Sequence, residues 1–259
     1  MKQTLLPTTL IALATFTVPS FAASFTDTFD AIDPAWTTDR YEPAGFSSVF
    51  FDGDNRLEIA IDDADSATNR PASFSSGFYD TQGRKRVSGL EEIWTVSGEL
   101  YVSSDMVSGN NLRRTDLWAR DGDGSEPNAE YPIFGMRRFD PSDPFNASAS
   151  NISSVWRVWD PDTGGWVELI DPVTEGWHTL SITGTGSSFV YELNGTTVYT
   201  DNTVVPEADL TEVFVQAFNF GGGDYSVYWD NISVVPEPAS LTLLGVAGLG
   251  LMARRRRQA

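Results

Sequence analysis

From residue 57 to residue 234 the chain is a succession of short alternating or aromatic-rich runs, each closed by Gly, Asp, Asn or Pro. None keeps the 3.6-residue period of an amphipathic helix. Alternation at period two turns one set of side chains to a buried face. Strands are therefore predicted at 57–61, 94–107, 115–119, 133–139, 154–160, 166–170, 177–185, 189–193, 197–200, 212–220 and 225–234. About a dozen such strands predict an all-β domain of two packed antiparallel sheets. The hairpin at 189–200 is the best defined. Phe189, Tyr191 and Leu193 alternate up to Asn194-Gly195, a pair that supplies the positive φ angles of a type I′ turn. Turn formers crowd into 62–71, 121–130, 140–151 and 160–165, read as loops, and 202–211 is a polar connection.

The two ends follow other rules. Lys2, the mostly apolar stretch 5–18 and Ser20-Phe21-Ala22 have the order of a secretory signal peptide, with signal peptidase expected to cut after Ala22. At the far end, Pro236-Glu237-Pro238 is followed by an apolar run over 239–253 and then by Arg254 to Arg257. The prolines keep the segment extended, the apolar run partitions into a bilayer, and the arginines resist crossing it. A full span takes roughly 20 residues, so this short, glycine-interrupted sorting helix is made for transient anchoring. The three parts in this order resemble the PEP-CTERM sorting signal of Gram-negative bacteria that make extracellular polysaccharide. The resemblance implies that an exosortase reads Pro236, Glu237 and Pro238 after a transient inner-membrane stage. The expected organisation is a signal peptide over 1–22, one body over 23–234 and the sorting signal over 235–259. The destination is then the cell surface or the extracellular matrix.

Charge narrows the partners. The chain carries 17 basic and 36 acidic residues, and its ends hold five of the bases against one acid, so the body is more acidic than the net −19 of the whole. Nucleic acid, which is held by basic stripes, is excluded as a partner. The one basic cluster, Arg84-Lys85-Arg86, reads as a three-residue turn. The absence of cysteine removes disulfides and thiolate chemistry, leaving stability to the core and to a possible structural calcium ion.

Three segments of the body carry a second resemblance: Gly176-Trp177-His178-Thr179-Leu180-Ser181-Ile182 with the hairpin Tyr191 to Tyr199, the opening Phe25 to Trp36, and the closing Tyr228 to Val234. They are similar to strands of laminin-G-like and concanavalin A-like jelly rolls, which implies a two-sheet jelly-roll sandwich whose first and last strands lie side by side.

Candidate chemistry is sparse. His178 shares a strand face with Leu180 and Ile182 and reads as a core histidine held by hydrogen bonds. Glycoside hydrolysis needs two carboxylates roughly 5 to 10 Å apart. The jelly-roll glucanases present Glu, Asp and Glu on one face of one strand, a pattern that no strand here repeats, and no Tyr or His stands out as a lyase base. Calcium wants clustered oxygens on a turn, which points to Asp121 and Asp123 in Asp121-Gly122-Asp123-Gly124-Ser125-Glu126. A structural ion is also expected near Asp27 and Asp230, where the resemblance implies that the chain ends meet. Among eight tryptophans, strand parity puts Trp156 in the core. The same parity puts Arg114, Asp116 and Trp118 on one face of their strand, and Arg157 with Trp159 on one face of theirs. Trp118, Trp159, Arg157 and Asp116 are thus the candidate carbohydrate contacts, since aromatic rings stack on the apolar faces of sugars.

The sequence reads as an exported jelly roll that binds extracellular polysaccharide or serves a structural role, with no catalytic residues assigned. A divergent glycoside hydrolase or polysaccharide lyase on the same fold is the alternative. Replacing Pro236, Glu237 and Pro238 by alanine should leave the protein uncleaved at the membrane. Mass spectrometry of the protein from the cell surface checks this, because a mature native form that still carries 241–257 would contradict the sorting reading.

Overall fold

A computed structural model describes residues 24–66, 69–90, 93–122, 130–139, 152–160, 163–202 and 209–236. The alternation becomes fifteen strands among these residues. In chain order they are β1 (Phe25–Asp27), β2 (Thr37–Thr38), β3 (Gly45–Phe51), β4 (Asp54–Ile61), β5 (Thr81–Leu90), β6 (Trp94–Val102), β7 (Arg113–Asp121) and β8 (Ile133–Phe139). They continue with β9 (Ser153–Asp160), β10 (Gly165–Glu168), β11 (Gly176–Gly184), β12 (Phe189–Leu193), β13 (Thr196–Asp201), β14 (Leu210–Phe218) and β15 (Tyr225–Pro236). Two short helices, α1 (Ser76–Tyr79) and α2 (Ser104–Ser108), interrupt them.

The strands form two antiparallel sheets. The first runs β13-β12-β11-β6-β15-β4-β3, with β1 also on β15; the second runs β10-β9-β8-β7-β14-β5-β2. Strand β6 shows how the layers meet: Trp94, Val96, Leu100 and Val102 are buried while Thr95, Ser97, Glu99 and Tyr101 face outward. From the other sheet Leu117, Phe134, Trp156, Val158, Val213 and Val215 fill the space between. Trp94, Trp156 and Trp229 are the largest fully buried side chains, and such rings dominate the core. His178 lies in it too, accepting from Asn194 Nδ2 at 3.2 Å, 2.8 Å from the Thr174 carbonyl, and edge-on to Trp156. The hairpin closes through Asn194 and Gly195, at φ of 52° and 74°. The chain ends meet as the resemblance implies, with Phe25 opposite Val234 and Asp27 opposite Ile232.

Several expectations are corrected. The run 94–107 is not one strand: β6 stops at Val102, and Ser103 caps α2 by accepting the Met106 N–H. A serine hydroxyl that satisfies an orphan amide starts a helix there at the expense of extended pairing. Arg84-Lys85-Arg86 is not a turn but the middle of β5, with each base paired to an acid. Arg84 bonds Glu42 at 2.6 Å, Lys85 bonds Glu212 at 2.7 Å and Arg86 bonds Asp33 at 2.9 Å. Both arginines also lay their guanidinium groups on rings, Arg84 over Phe46 and Arg86 over Phe25. Strands β2 and β3 lie outside the predicted set.

The expected calcium ligands are placed differently from one another. Asp27 accepts from Trp36 Nε1 at 2.7 Å and from the Phe29 amide at 3.0 Å, with Arg86 at 3.6 Å. Asp230 is bonded by Arg56 and by Asn231. Each carboxylate thus already has cationic or N–H partners, and among the described residues no group of three or more acids or histidines converges on a metal position. Asp123 lies outside the described residues, as do 1–22, Glu237 and Pro238.

Asp121, the last residue of β7, is buried beside the Asp121–Glu130 bridge. Burial, helped by the negative charges of Glu130 and Asp209, pushes its carboxyl up to about 7 against the opposing bond from the Gly122 amide. Between pH ~4 and about 7 the folded state therefore holds a proton that the unfolded state has released. By linkage this contribution is full below pH ~4, falls as pH rises and is gone above the folded value. Asp121→Asn, neutral at every pH and still able to accept from Gly122, should flatten this slope and raise Tm at pH 8 by a few degrees. Thermal melts of both proteins from pH 4 to pH 8 check it, and parallel curves would refute it.

Candidate functional site: an arginine-lined groove on the second sheet

Strand β7 is covered on both faces. Thr115, Leu117 and Ala119 pack into the core, yet Asp116 and Trp118 on the opposite face are also buried. Its neighbours in register explain why. Asp116 lies between Gln216 of β14 and Gly135 of β8, and Gly135 in turn faces Arg157 of β9. A side chain at Gly135 would meet Thr115 O at 2.3 Å and Asp116 Oδ1 at 2.4 Å, so only glycine leaves room there. Across that gap Arg157 Nη2 reaches Asp116, donating at 3.3 Å. From the other side Arg114 Nε donates to Asp116 Oδ2. Asp116 is thereby held between two guanidinium groups.

Around this pair opens a groove of about 580 Å³, lined by Arg40, Arg114, Arg137, Arg157, Trp118, Trp166, Phe78, Phe218, Phe220, Ser75, Gly77 and Thr81. One wall is Trp166 of the edge strand β10, whose ring lies 3.5 Å from the Arg157 guanidinium and 5.1 Å from that of Arg114. Trp159, its partner in register, packs edge-on behind it at 5.3 Å. The opposite wall is Arg40, which covers Trp118 at 4.5 Å and is anchored by Asp39 at 3.1 Å and Gln216 Oε1 at 3.2 Å. Gln216 Nε2 completes this wall by donating to Asp39 at 2.6 Å.

The electrostatics are one-sided. Among the described residues four arginines line the groove and no acid does, in a chain of net charge −19. Burial first, then the repulsion of Arg114, lowers the Arg157 guanidinium to about 9, and the same two causes lower Arg137. Arg40 is lowered mainly by burial. Among the described residues, Arg157 Nε and Trp118 Nε1 in the lining have no hydrogen-bond partner, although both residues are more than nine-tenths buried. Buried donors are usually satisfied, so each one left open marks a place where a ligand can accept.

All four residues proposed from parity belong to this face, in different roles. Arg157 lines the groove and forms its floor, only 2% exposed. Asp116 lies beneath it as the shared counter-ion. Trp118 faces the groove, but Arg40 and Phe214 leave it 7% exposed, so it is not the open ring that parity alone expected. Trp159 is partly buried and supports Trp166, which is the ring that reaches the groove. Trp156 is in the core, as parity requires. Arg40 and Arg137 have no signal of their own in the sequence, because a loop and a separate strand bring them in.

Residues 234–257 match the PEP-CTERM protein-sorting motif. No curated protein sequence matches the chain. Among solved structures it is similar to a glycoside hydrolase family 16 endo-glucanase from Bacteroides ovatus, at 10% identity and a TM-score of 0.50. It is likewise similar to a family 16 protein of the B. ovatus mixed-linkage glucan locus, at 11% and 0.51, and both likenesses cover 82% of this chain and 99% of the other. A sialidase, at 10% identity and a TM-score of 0.52, is matched over 83% of this chain, which spans only 19% of the sialidase. Identities this low establish the fold. The chain is a concanavalin A-like jelly roll that ends in a PEP-CTERM sorting motif.

Proposed function

We propose that this is an exosortase-sorted protein of the cell surface or extracellular matrix that binds polysaccharide in the arginine-lined groove, without turning it over. The sorting motif implies the exosortase and the extracellular destination. The observation that supports the binding reading is the meeting of Trp166, Trp118 and four arginines in a single open groove on one sheet face. Aromatic rings beside hydrogen-bond donors provide both surfaces that a sugar ring needs, an apolar face and a polar edge. The volume lies within the usual range for ligand sites, roughly 300 to 1,000 Å³.

Hydrolysis is less well supported. A glycosidase needs an acid and a second carboxylate across the scissile bond. Asp116 at the groove floor has its oxygens engaged by Arg114 and Arg157, and Glu168, opposite Arg157 in register, lies on the exposed edge strand. Among the described residues neither His nor Tyr lines the groove to act as a lyase base. A structural role in the matrix is compatible with the same binding.

Trp166→Ala should weaken polysaccharide binding with little loss of Tm, because the ring is only partly buried. Trp156→Ala removes a fully buried ring and should cost about 3 to 5 kcal/mol of stability. A glycan array with a reducing-sugar assay, beside thermal melts of both variants, checks the pair. Release of reducing ends would replace binding by catalysis, and a destabilised Trp166→Ala beside an intact Trp156→Ala would invert the two faces.

A further inference from the structure

We infer that the sheet itself gates sorting: the exosortase can take up Pro236-Glu237-Pro238 only after the last two residues of β15 have left β6. The inference rests on the sorting reading above and adds what the folded body does to it. Its basis is an overlap. The matched motif covers 234–257, and its first three residues, Val234, Val235 and Pro236, are the last three of β15. All three pair with β6, Val234 opposite Val96, Val235 opposite Thr95 and Pro236 opposite Trp94.

The three are not held equally. Val234 is fully buried in the core and is paired on both sides, with Val96 of β6 and with Phe25 of β1. Strand β1 reaches no further, so Val235 and Pro236 are held by β6 alone, and both side chains are exposed. A strand end that is paired on one side and buries little opens locally, whereas a core valine paired on both sides opens only with the sheet. Opening therefore stops at Val234. Pro236 sharpens the end of the ladder, because proline has no N–H with which to prolong it.

The closed end leaves an enzyme little room. The apolar run begins at residue 239, three residues past Pro236, a distance of at most about 11 Å even when fully extended. Recognition of an extended segment uses its free backbone edges, and a strand with the layer that backs it is already about 10 Å thick. Releasing Val235 and Pro236 moves the last fixed residue back to Val234 and lengthens the reach to at most about 18 Å. The tripeptide then stands clear of the body.

Pulse-labelling of the full chain in its source cells, with loss of 241–257 followed by mass spectrometry, tests this. The chain has no cysteine, so Thr95→Cys with Val235→Cys, opposite in register and both outside the core, introduces a single disulfide that pins the end shut. The oxidised double variant should be processed at least about tenfold more slowly than wild type. Dithiothreitol should restore the rate. A short Gly-Ser spacer inserted between Val235 and Pro236, which frees the tripeptide without opening the sheet, should also restore it with the disulfide still in place. Processing of the oxidised variant at the wild-type rate, or slow processing that the spacer does not relieve, would overturn the inference and leave the sorting reading standing. If the wild-type chain itself keeps 241–257 at the cell surface, both fall together.

Discussion

Among the hydrogen bonds that tie the two sheets together, the most deeply set behind the groove is that of Trp229 Nε1–H of β15, which donates to Thr115 Oγ1 of β7 at 2.9 Å, beside a second from Tyr225 OH to the Arg114 carbonyl at 3.2 Å. Trp229 and Thr115 are completely buried, and the threonine hydroxyl in turn donates a hydrogen bond to the Gln216 carbonyl on β14 at 2.8 Å. Such a chain is worth about 1 kcal/mol per bond net, but leaving the indole N–H unpaired in the core would cost more than forming the bond gains. It therefore fixes the phase of β7 as well as its distance from the other layer. Because successive side chains on a strand point oppositely, Thr115 facing inward obliges Asp116 to face the groove.

From that single choice of phase the groove follows. Asp116 is a carboxylate placed where β8 has no side chain, so guanidinium groups from β7 and β9 can both approach it. A larger residue at Gly135 would push Asp116 and Arg157 apart, and the floor would lose its counter-ion while keeping its cations. The walls come from elsewhere: Trp166 from the short edge strand, Arg40 from the segment leading out of β2. The floor of the site is thus carried by central strands, and its walls by the periphery.

Much of this architecture can be read from the chain. Alternation locates most strands, the Asn194-Gly195 turn sets the register of its hairpin, and parity separates Trp156 from Trp159. What escapes are features whose physics is not periodic. Strand β5 is hidden because arginines and Gln82 fill the positions where apolar residues would announce a buried face. Helix α2 is hidden because its cap is one serine inside an apolar run. The groove is half legible: Asp116, Trp118, Arg157 and Trp159 follow from strand phase, whereas Arg40 and Arg137 join them only through the order of strands in the sheet, which no local pattern encodes.

That strand order also governs when the molecule can assemble. Strand β15 is the last described strand, yet it occupies the interior of the first sheet, between β6 on one side and β4 and then β1 on the other. Without residues 225–236 the sheet falls into two pieces, β3-β4 and β6-β11-β12-β13, and β1 has no partner. Closure waits for pairings of the longest sequence separation, the slowest kind to form. A chain emerging from its N-terminus therefore stays open until nearly all of the body is available. Pairing extends to Pro236 opposite Trp94, so the first proline of Pro-Glu-Pro, within the matched motif, is also the last paired residue of the sheet.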